Sequence, residues 1–177
     1  MRVVAGMYGG RRLVAPPGSA TRPTSDRVRE ALFSVLGTTV QGAHVLDLYA
    51  GSGALGIEAL SRGAAGAVFV DRSPKAVAAI RTNLAALGID APVRRMEARA
   101  ALRPPPDLAD PYDLVFLDPP YRRVAELGRE LSEALPAVLA PGARVVSESD
   151  RREPLELAFP LADERRYGDT VIRIHDT

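Results

Sequence analysis

The chain has no cysteine and only two histidines, His44 and His175, which stand far apart in its 177 residues. Disulfides and thiolate metal sites are therefore excluded, and no suitable ligand set remains for a structural zinc ion. The start lacks the apolar core of a signal peptide, and no apolar run reaches the roughly 18 residues that would suggest a membrane-spanning helix. We therefore expect a cytoplasmic protein with no metal and no membrane partner.

Lysine is nearly absent, because Lys75 is the only lysine among 23 basic residues. The net charge of +1 hides an asymmetry: residues 1–30 hold six arginines against two acids, while the rest of the chain is mildly acidic. A basic segment on such a body favours contact with a phosphate backbone. The predicted RNA-binding residues are Arg2, Arg11, Arg12, Arg22, Arg27 and Arg29. A solvated charged helix face is the alternative for Arg27 and Arg29.

The order of elements predicts an α/β protein. Hydrophobic residues make up 46% and charged residues 25%, as in ordinary globular domains. Strand and helix patterns alternate through five units, which predicts a doubly wound, mostly parallel sheet. Residues 1–20, with Gly6 and Gly9-Gly10 at turn positions, predict a small β-hairpin extension, and residues 21–177 form the main domain. Late strands are expected around Leu155–Phe159 and Thr170–His175.

A glycine-rich bend follows the first core strand of the main domain, Val45–Tyr49. Gly51, Gly53 and Gly56 have the spacing GxGxxG and run into a helix, so a ligand could touch backbone N–H groups there. The second strand ends at Asp71, 20 residues after Gly51. A carboxylate at that place can accept both hydroxyls of a ribose, so loop and acid together indicate a nucleoside-binding site.

A second candidate site is the corner Asp118-Pro119-Pro120-Tyr121, which ends the buried strand Val115–Leu117. The prolines cannot continue a sheet and fix a stiff turn at the strand's carboxyl end, where open α/β sheets bind ligands. The Asp118 carboxylate and the Pro119 carbonyl are two acceptors for a planar amine, and Tyr121 can stack on its ring. In the alternative interpretation, Asp118 caps a helix and Tyr121 packs on the core.

The charge of Asp47 separates two classes of enzyme that use such a glycine loop. Asp47 lies near the end of the first strand, four residues before Gly51. It would repel the pyrophosphate of a nicotinamide cofactor, but it suits a ligand with a cationic amine. S-adenosylmethionine carries an ammonium and a sulfonium and no phosphate, so the electrostatics favour it.

Together, Asp47–Gly53, Asp71 and Asp118–Tyr121 resemble the motifs of class I S-adenosylmethionine-dependent amino-methyltransferases. The opening Arg2–Gly6 and Gly10–Leu13, the segment Arg22–Phe33 and the late segment Ser147–Asp150 are similar to the RsmD family of bacterial methyltransferases. That family methylates a guanine 2-amino group in 16S ribosomal RNA. The resemblance covers nearly the whole chain and implies a Rossmann-like fold with a seven-stranded sheet.

The resemblance implies rRNA methylation of the guanine(966)-N2 type, with RNA in a small-subunit particle as partner. It implies that Asp118, Pro119, Pro120 and Tyr121 are catalytic, receiving and stacking on the guanine. It implies that S-adenosylmethionine is bound by Asp47, Tyr49, Gly51, Ser52, Gly53, Asp71, Arg72, Glu97, Ala98 and Asp118.

Three alternatives remain open at this point. Methylation of the adenine 6-amino group in DNA would use the same acceptors, although little of the chain is left for a DNA-recognition domain. A nicotinamide-dependent dehydrogenase is disfavoured by Asp47. A catalytically idle RNA-binding module is disfavoured by the intact acids and glycines.

Overall fold

The computed structural model describes residues 1–18, 25–103, 111–119 and 124–177. Their elements are α1 (Asp26–Leu36), β1 (His44–Leu48), α2 (Ala54–Ser61), β2 (Gly66–Asp71), α3 (Pro74–Leu87), β3 (Val93–Arg95), α4 (Ala98–Ala101), β4 (Tyr112–Leu117), α5 (Val124–Ala134), β5 (Leu139–Asp150), β6 (Leu161–Tyr167) and β7 (Thr170–Asp176). Short 3₁₀ turns follow α1 at Gly37–Val40 and α5 at Leu135–Ala137.

The strands form one seven-stranded sheet in the order β3-β2-β1-β4-β5-β7-β6. The first five strands along the chain run parallel, whereas β7 lies antiparallel between β5 and β6. The predicted Rossmann-like, mostly parallel sheet is therefore confirmed. Strand order reverses between β1 and β4, and a crevice at the carboxyl ends of the strands is expected at such a point.

Apolar side chains pack on both faces of the sheet, because successive residues of a strand point to opposite sides. Val45 belongs to the core on one face and Leu46 to the core on the other. On the first face the rings of Phe33 in α1 and Phe116 in β4 lie 5.7 Å apart. None of the described helices is long and apolar enough to cross a membrane.

The predicted strand at Leu155–Phe159 is wrong, and the strand lies at Leu161–Tyr167 instead. Leu155 and Leu157 are buried, but they belong to a loop that packs against α5, where the Ser132 hydroxyl accepts a 2.9 Å bond from the Ala158 amide. Strand β6 was not predicted because it contains a run of charged residues, Asp163–Arg166, instead of an apolar pattern. It lies at the edge of the sheet, where charged residues prevent pairing with the edge of another sheet.

Arg29 was predicted to bind RNA, with a solvated face of α1 as the alternative, but the structure buries this residue. Its side chain is fully buried, and its guanidinium donates to the Arg2 carbonyl and, at 2.7 Å, to Asp26. A buried guanidinium needs such acceptors, because an unpaired charge in the interior is very costly. Arg29 therefore joins α1 to the first residues of the chain.

Residues 1–18, called the arm below, fold back on the main domain. Its one antiparallel bridge joins Arg2 and Arg12, and Val3 and Leu13 are buried in the core. The buried carboxylate of Glu58 in α2 accepts bonds from the backbone amides of residues 4 and 5 at 2.7 and 3.0 Å. The arm is thus held by backbone bonds to the domain as well as by apolar burial.

We predict that Gly6→Ala loosens the arm. Gly6 has φ +82°, and an added Cβ would lie 1.9 Å from the Ser61 carbonyl oxygen, which is a backbone atom that cannot step aside. Gly10→Ala is the matched control, because Gly10 has φ +81° and open space around it. Strain alone should cost Gly10→Ala about 1–2 kcal/mol in denaturant unfolding, and Gly6→Ala should lose more. Equal losses would contradict the close approach of arm and α2.

Candidate active site

Three acids lie at the carboxyl ends of the central strands β1, β2 and β4. Leu48 of β1 is in register with Val70 of β2 and with Leu117 of β4. Asp71 and Asp118 follow directly after those two partners, and Asp47 precedes Leu48. The sheet register therefore brings together the acids of the glycine loop and of the Asp-Pro-Pro-Tyr corner.

Asp47 is almost completely buried, with 2% of its surface exposed. Its Oδ2 atom accepts a 2.9 Å bond from the Gly56 amide at the start of α2. Burial raises the pKa of Asp47 to about 8, and the nearby charge of Asp71 adds to the increase. Among the described residues no basic side chain forms an ion pair with Asp47. The described part of the site therefore supplies no basic side chain that would stabilise this carboxylate.

The Asp71 carboxylate anchors the loop that follows β1. One oxygen accepts the Gly51 amide at 2.9 Å, and the other accepts the Ser73 amide at 2.8 Å. A carboxylate offers about four acceptor positions, so each oxygen can still receive one further donor. Two adjacent hydroxyls, as on a ribose, match this remaining capacity.

The glycine loop turns sharply because three of its residues adopt left-handed backbone angles. Tyr49, Gly51 and Gly53 have φ of +61°, +57° and +78°. Among the described residues, an added Cβ at Gly51 would meet only the Tyr49 carbonyl, 3.9 Å away, so these residues leave space beside this glycine. At Gly56 a Cβ would lie 2.4 Å from the Phe69 ring. Gly51 therefore leaves room for a ligand, whereas Gly56 lets α2 pack against the sheet.

The predicted adenine-side residues lie around the end of β3. The Met96 amide donates to the Asp71 carbonyl at 3.2 Å, which places Glu97 and Ala98 near Asp71. Arg72 and Glu97 form an exposed ion pair at 3.6 Å, and burial together with the Glu97 charge raises the pKa of Tyr49 to about 12. Tyr49, Arg72 and Glu97 are therefore neighbours in the structure.

Asp118 is half-buried, and Pro119 is buried. Burial raises the pKa of Asp118 well above its usual range, and the charges of Glu148 and Asp47 raise it further. Glu148, at the end of β5, is a site residue to which the sequence patterns gave no role; the resemblance pointed only to its segment. Pro120 and Tyr121 lie outside the described residues.

The arginines predicted to bind RNA have different surroundings. Arg2 is mostly exposed and pairs with Asp26 at 3.1 Å, and Arg11 donates to the Ala86 carbonyl at 2.8 Å. Arg12 and Arg27 are exposed. Arg29 is buried, as described above, and Arg22 lies outside the described residues. In the part of the chain that the structure describes, no group of three or more histidines and acids is arranged to hold a metal ion.

The strand order, glycine loop and acids define a class I S-adenosylmethionine-dependent methyltransferase. The described residues fit the predicted cofactor: the buried Asp47, which has no ion-pair partner among them, matches a cationic group, Asp71 has capacity for two hydroxyls, and Gly51 has free space beside it in this part of the chain. The chain belongs to the family described as Conserved hypothetical protein 95, the RsmD family, whose model matches residues 1–176.

Relatives agree with this membership. A Bacillus subtilis protein, YlbH, provisionally named an rRNA methyltransferase, is 45% identical over 99% of this chain and 98% of its own. Ribosomal RNA small subunit methyltransferase D of Escherichia coli K12 is 42% identical over 70% of this chain and 61% of its own.

Solved structures agree as well. The Escherichia coli methyltransferase yhhF, also named provisionally, is 35% identical with a TM-score of 0.83, covering 99% of this chain and 97% of that one. A Thermus thermophilus 16S rRNA N2 G1207 methyltransferase with AdoMet and guanosine shares the fold at 21% identity and TM-score 0.70, covering 92% of this chain and 45% of that one. Membership of a methyltransferase family overturns the dehydrogenase alternative.

We predict that Asp47→Asn reduces the loss of stability with rising pH. The pKa of Asp47 is near 8 in the folded chain and about 3.9 when unfolded, so between these values the folded state holds the extra proton. Folding stability must then fall as pH rises from about 4 to 8, by at most about 1.4 kcal/mol per pH unit. Asparagine has no proton to lose and can still accept the Gly56 amide.

Denaturant unfolding at several pH values measures this effect. The stability of Asp47→Asn relative to the unmodified chain should increase from pH 5 to pH 8. Asp90→Asn, which changes an exposed loop acid, is the control and should not show this trend. A constant difference across the pH range would mean that the buried acid is already ionised.

Proposed function

We propose that this methyltransferase transfers a methyl group from S-adenosylmethionine to the 2-amino group of a guanine in small-subunit ribosomal RNA, with guanine(966)-N2 specificity. The observation that carries the proposal is that Asp118 and Pro119 directly follow β4, in which Phe116 is in register with the buried Asp47 of β1. A pair of amine acceptors then borders the place where a cationic methyl donor is favoured. The relatives named for small-subunit RNA support that substrate.

In this proposal different residues bind different parts of the cofactor. Asp47 faces its positive end, Asp71 accepts the ribose hydroxyls, and Tyr49, Arg72, Glu97 and Ala98 border the adenine, with Gly51, Ser52 and Gly53 beneath. When bound, S-adenosylmethionine supplies a methyl group activated by a sulfonium. The pKa values of Asp47 and Asp118 are raised in the free protein. A cationic ligand would lower both pKa values, because a nearby positive charge stabilises an ionised carboxylate.

Asp118 and Pro119 act on the guanine amine. Its nitrogen shares its lone pair with the ring and is a poor nucleophile. When the Asp118 carboxylate and the Pro119 carbonyl accept its two hydrogens, the nitrogen moves towards tetrahedral geometry and its lone pair becomes available. As the nitrogen–methyl bond would form and the sulfur–methyl bond would break, the bonding electrons would stay with sulfur and positive charge would develop on nitrogen, where the ionised Asp118 would stabilise it in a poorly hydrated corner. The methylated amine would then lose one proton to water and become neutral. Tyr121, assigned by the motif, would stack on the base after it leaves its helix.

A labelled-methyl assay tests the proposal. Small-subunit RNA, large-subunit RNA and duplex DNA are offered separately, and the labelled nucleoside is identified. We expect N2-methylguanine in small-subunit RNA alone. N6-methyladenine in DNA would instead establish the adenine alternative, and no transfer to any substrate would favour the idle RNA-binding module.

We predict that Asp118→Ala and Asp71→Ala fail in different ways in that assay. Loss of the Asp118 acceptor should lower kcat by about 100-fold or more, with cofactor affinity near normal. Loss of the Asp71 carboxylate should weaken cofactor binding by about 10- to 100-fold, because hydrogen bonds to a charged group are lost. Cofactor titration separates the two effects. Equal loss of both properties in each variant would show that the roles are misassigned.

We predict that exposed arginines near the arm supply salt-sensitive RNA affinity. Deleting the arm would expose the core that Val3 and Leu13 fill, so charge removal is the cleaner change. Arg12→Ala with Arg27→Ala should lower the slope of log affinity against log salt by about 0.7 for each lost phosphate contact. Arg165→Ala on the edge strand β6 is the control. An unchanged slope in the double variant would refute RNA contact there.

A further inference from the structure

The side chain of Asn83 connects three parts of the molecule. It lies in α3 and is buried, with 2% of its surface exposed. Its Oδ1 atom accepts the Val14 amide of the arm at 2.8 Å, and its Nδ2 atom donates to the Val14 carbonyl at 3.0 Å and to the Ser52 carbonyl of the glycine loop at 2.9 Å. One amide group therefore binds both the arm and the loop.

These bonds use three of the four hydrogen-bonding positions of the amide. Both N–H groups of Asn83 have acceptors, and the carbonyl oxygen has a donor. The Val14 amide can only donate, so the oxygen of Asn83 must face it, and the NH₂ group must face the two carbonyls. Asparagine is a mediocre helix former, and its presence inside α3 is explained by these three partners.

Ser52 of the glycine loop also contacts the arm directly. The Ser52 hydroxyl donates to the sulfur of Met1 at 3.6 Å, so Ser52 contacts the arm directly and also through Asn83. The middle of the arm is held by α2 instead, where the Tyr8 amide donates to the Ser61 hydroxyl at 2.9 Å. Movement of the arm near Val14 would therefore disturb the loop, whereas movement near Tyr8 need not.

We infer that Asn83 is a positioning residue that couples cofactor binding to RNA binding. The inference rests on the proposed function, in which the loop borders the cofactor and the basic arm contacts RNA. A ligand that orders one of two segments sharing a buried partner lowers the entropy cost of ordering the other. Such coupling is reciprocal: the cofactor strengthens RNA binding by the same factor by which RNA strengthens cofactor binding.

The test compares RNA affinity with and without S-adenosylhomocysteine, which occupies the cofactor site without reaction. In the unmodified protein we expect the ligand to tighten RNA binding by about 5-fold or more. Asn83→Asp has nearly the same shape and keeps the acceptor for Val14 but loses both donors. It should reduce this factor to about 1 and weaken S-adenosylhomocysteine binding roughly tenfold.

Ser61→Ala is the matched control. It removes an anchor of the arm that does not contact the glycine loop, so the coupling factor should stay at the value of the unmodified protein. Equal coupling in Asn83→Asp and the unmodified protein would overturn the inference, and so would a coupling factor of 1 in an unmodified protein that methylates guanine. The latter result would leave the proposed function intact, whereas failure of the labelled-methyl assay would remove that function itself.

Amide hydrogen exchange gives a second measurement that needs no variant. S-adenosylhomocysteine alone should slow exchange in the arm peptide that contains Val14, and should leave the peptide around Tyr8 nearly unchanged. Slowing confined to the glycine loop, with none at Val14, would contradict the inference even if Asn83→Asp did not fold.

Discussion

The site depends on largely buried carboxylates that are held near one another at the carboxyl ends of the central strands. Asp47 cannot move away, because its strand is buried and α2 begins against it, and Asp118 is followed by the rigid Pro119. Burial raises the pKa of both acids, and nearby negative charges raise it further, so their ionised forms are unfavourable in the free protein. A cationic ligand changes this balance, because it stabilises the ionised acids that the free site disfavours. Selectivity for such a ligand follows from that electrostatic deficit.

The same groups also shape the loop. Asp71 accepts the Gly51 amide, so the acid proposed to bind the ribose already fixes the backbone around which the ribose would lie. Asp47 likewise accepts the Gly56 amide and fixes the start of α2. Binding residues that organise their own surroundings lose less entropy when a ligand arrives, which is the physical meaning of preorganisation.

Local patterns predicted the central parts of this structure. The mostly parallel sheet follows from the alternation of strand and helix patterns, and the acids at the strand ends follow from short apolar runs that stop at a charge. Long-range polar contacts were not predictable in this way. Glu58, Asn83 and Arg29 look like ordinary polar helix residues, yet each is buried because it binds backbone groups far away in sequence or across an element. The periodicity of hydrophobic residues does not predict such distant partners.

The arm is held against the domain by polar residues of α2 and α3. Glu58 and Ser61 of α2 and Asn83 of α3 hold its backbone, and α2 starts directly after the glycine loop. In the proposed function, RNA bound through the arm would therefore be held in a defined position relative to the loop and, through β1 and β4, relative to Asp118. Methyl transfer needs two reactants aligned to within a fraction of an ångström. If the arm binds RNA, its contacts with the core would help to bring the bound RNA and the acceptor corner into that alignment.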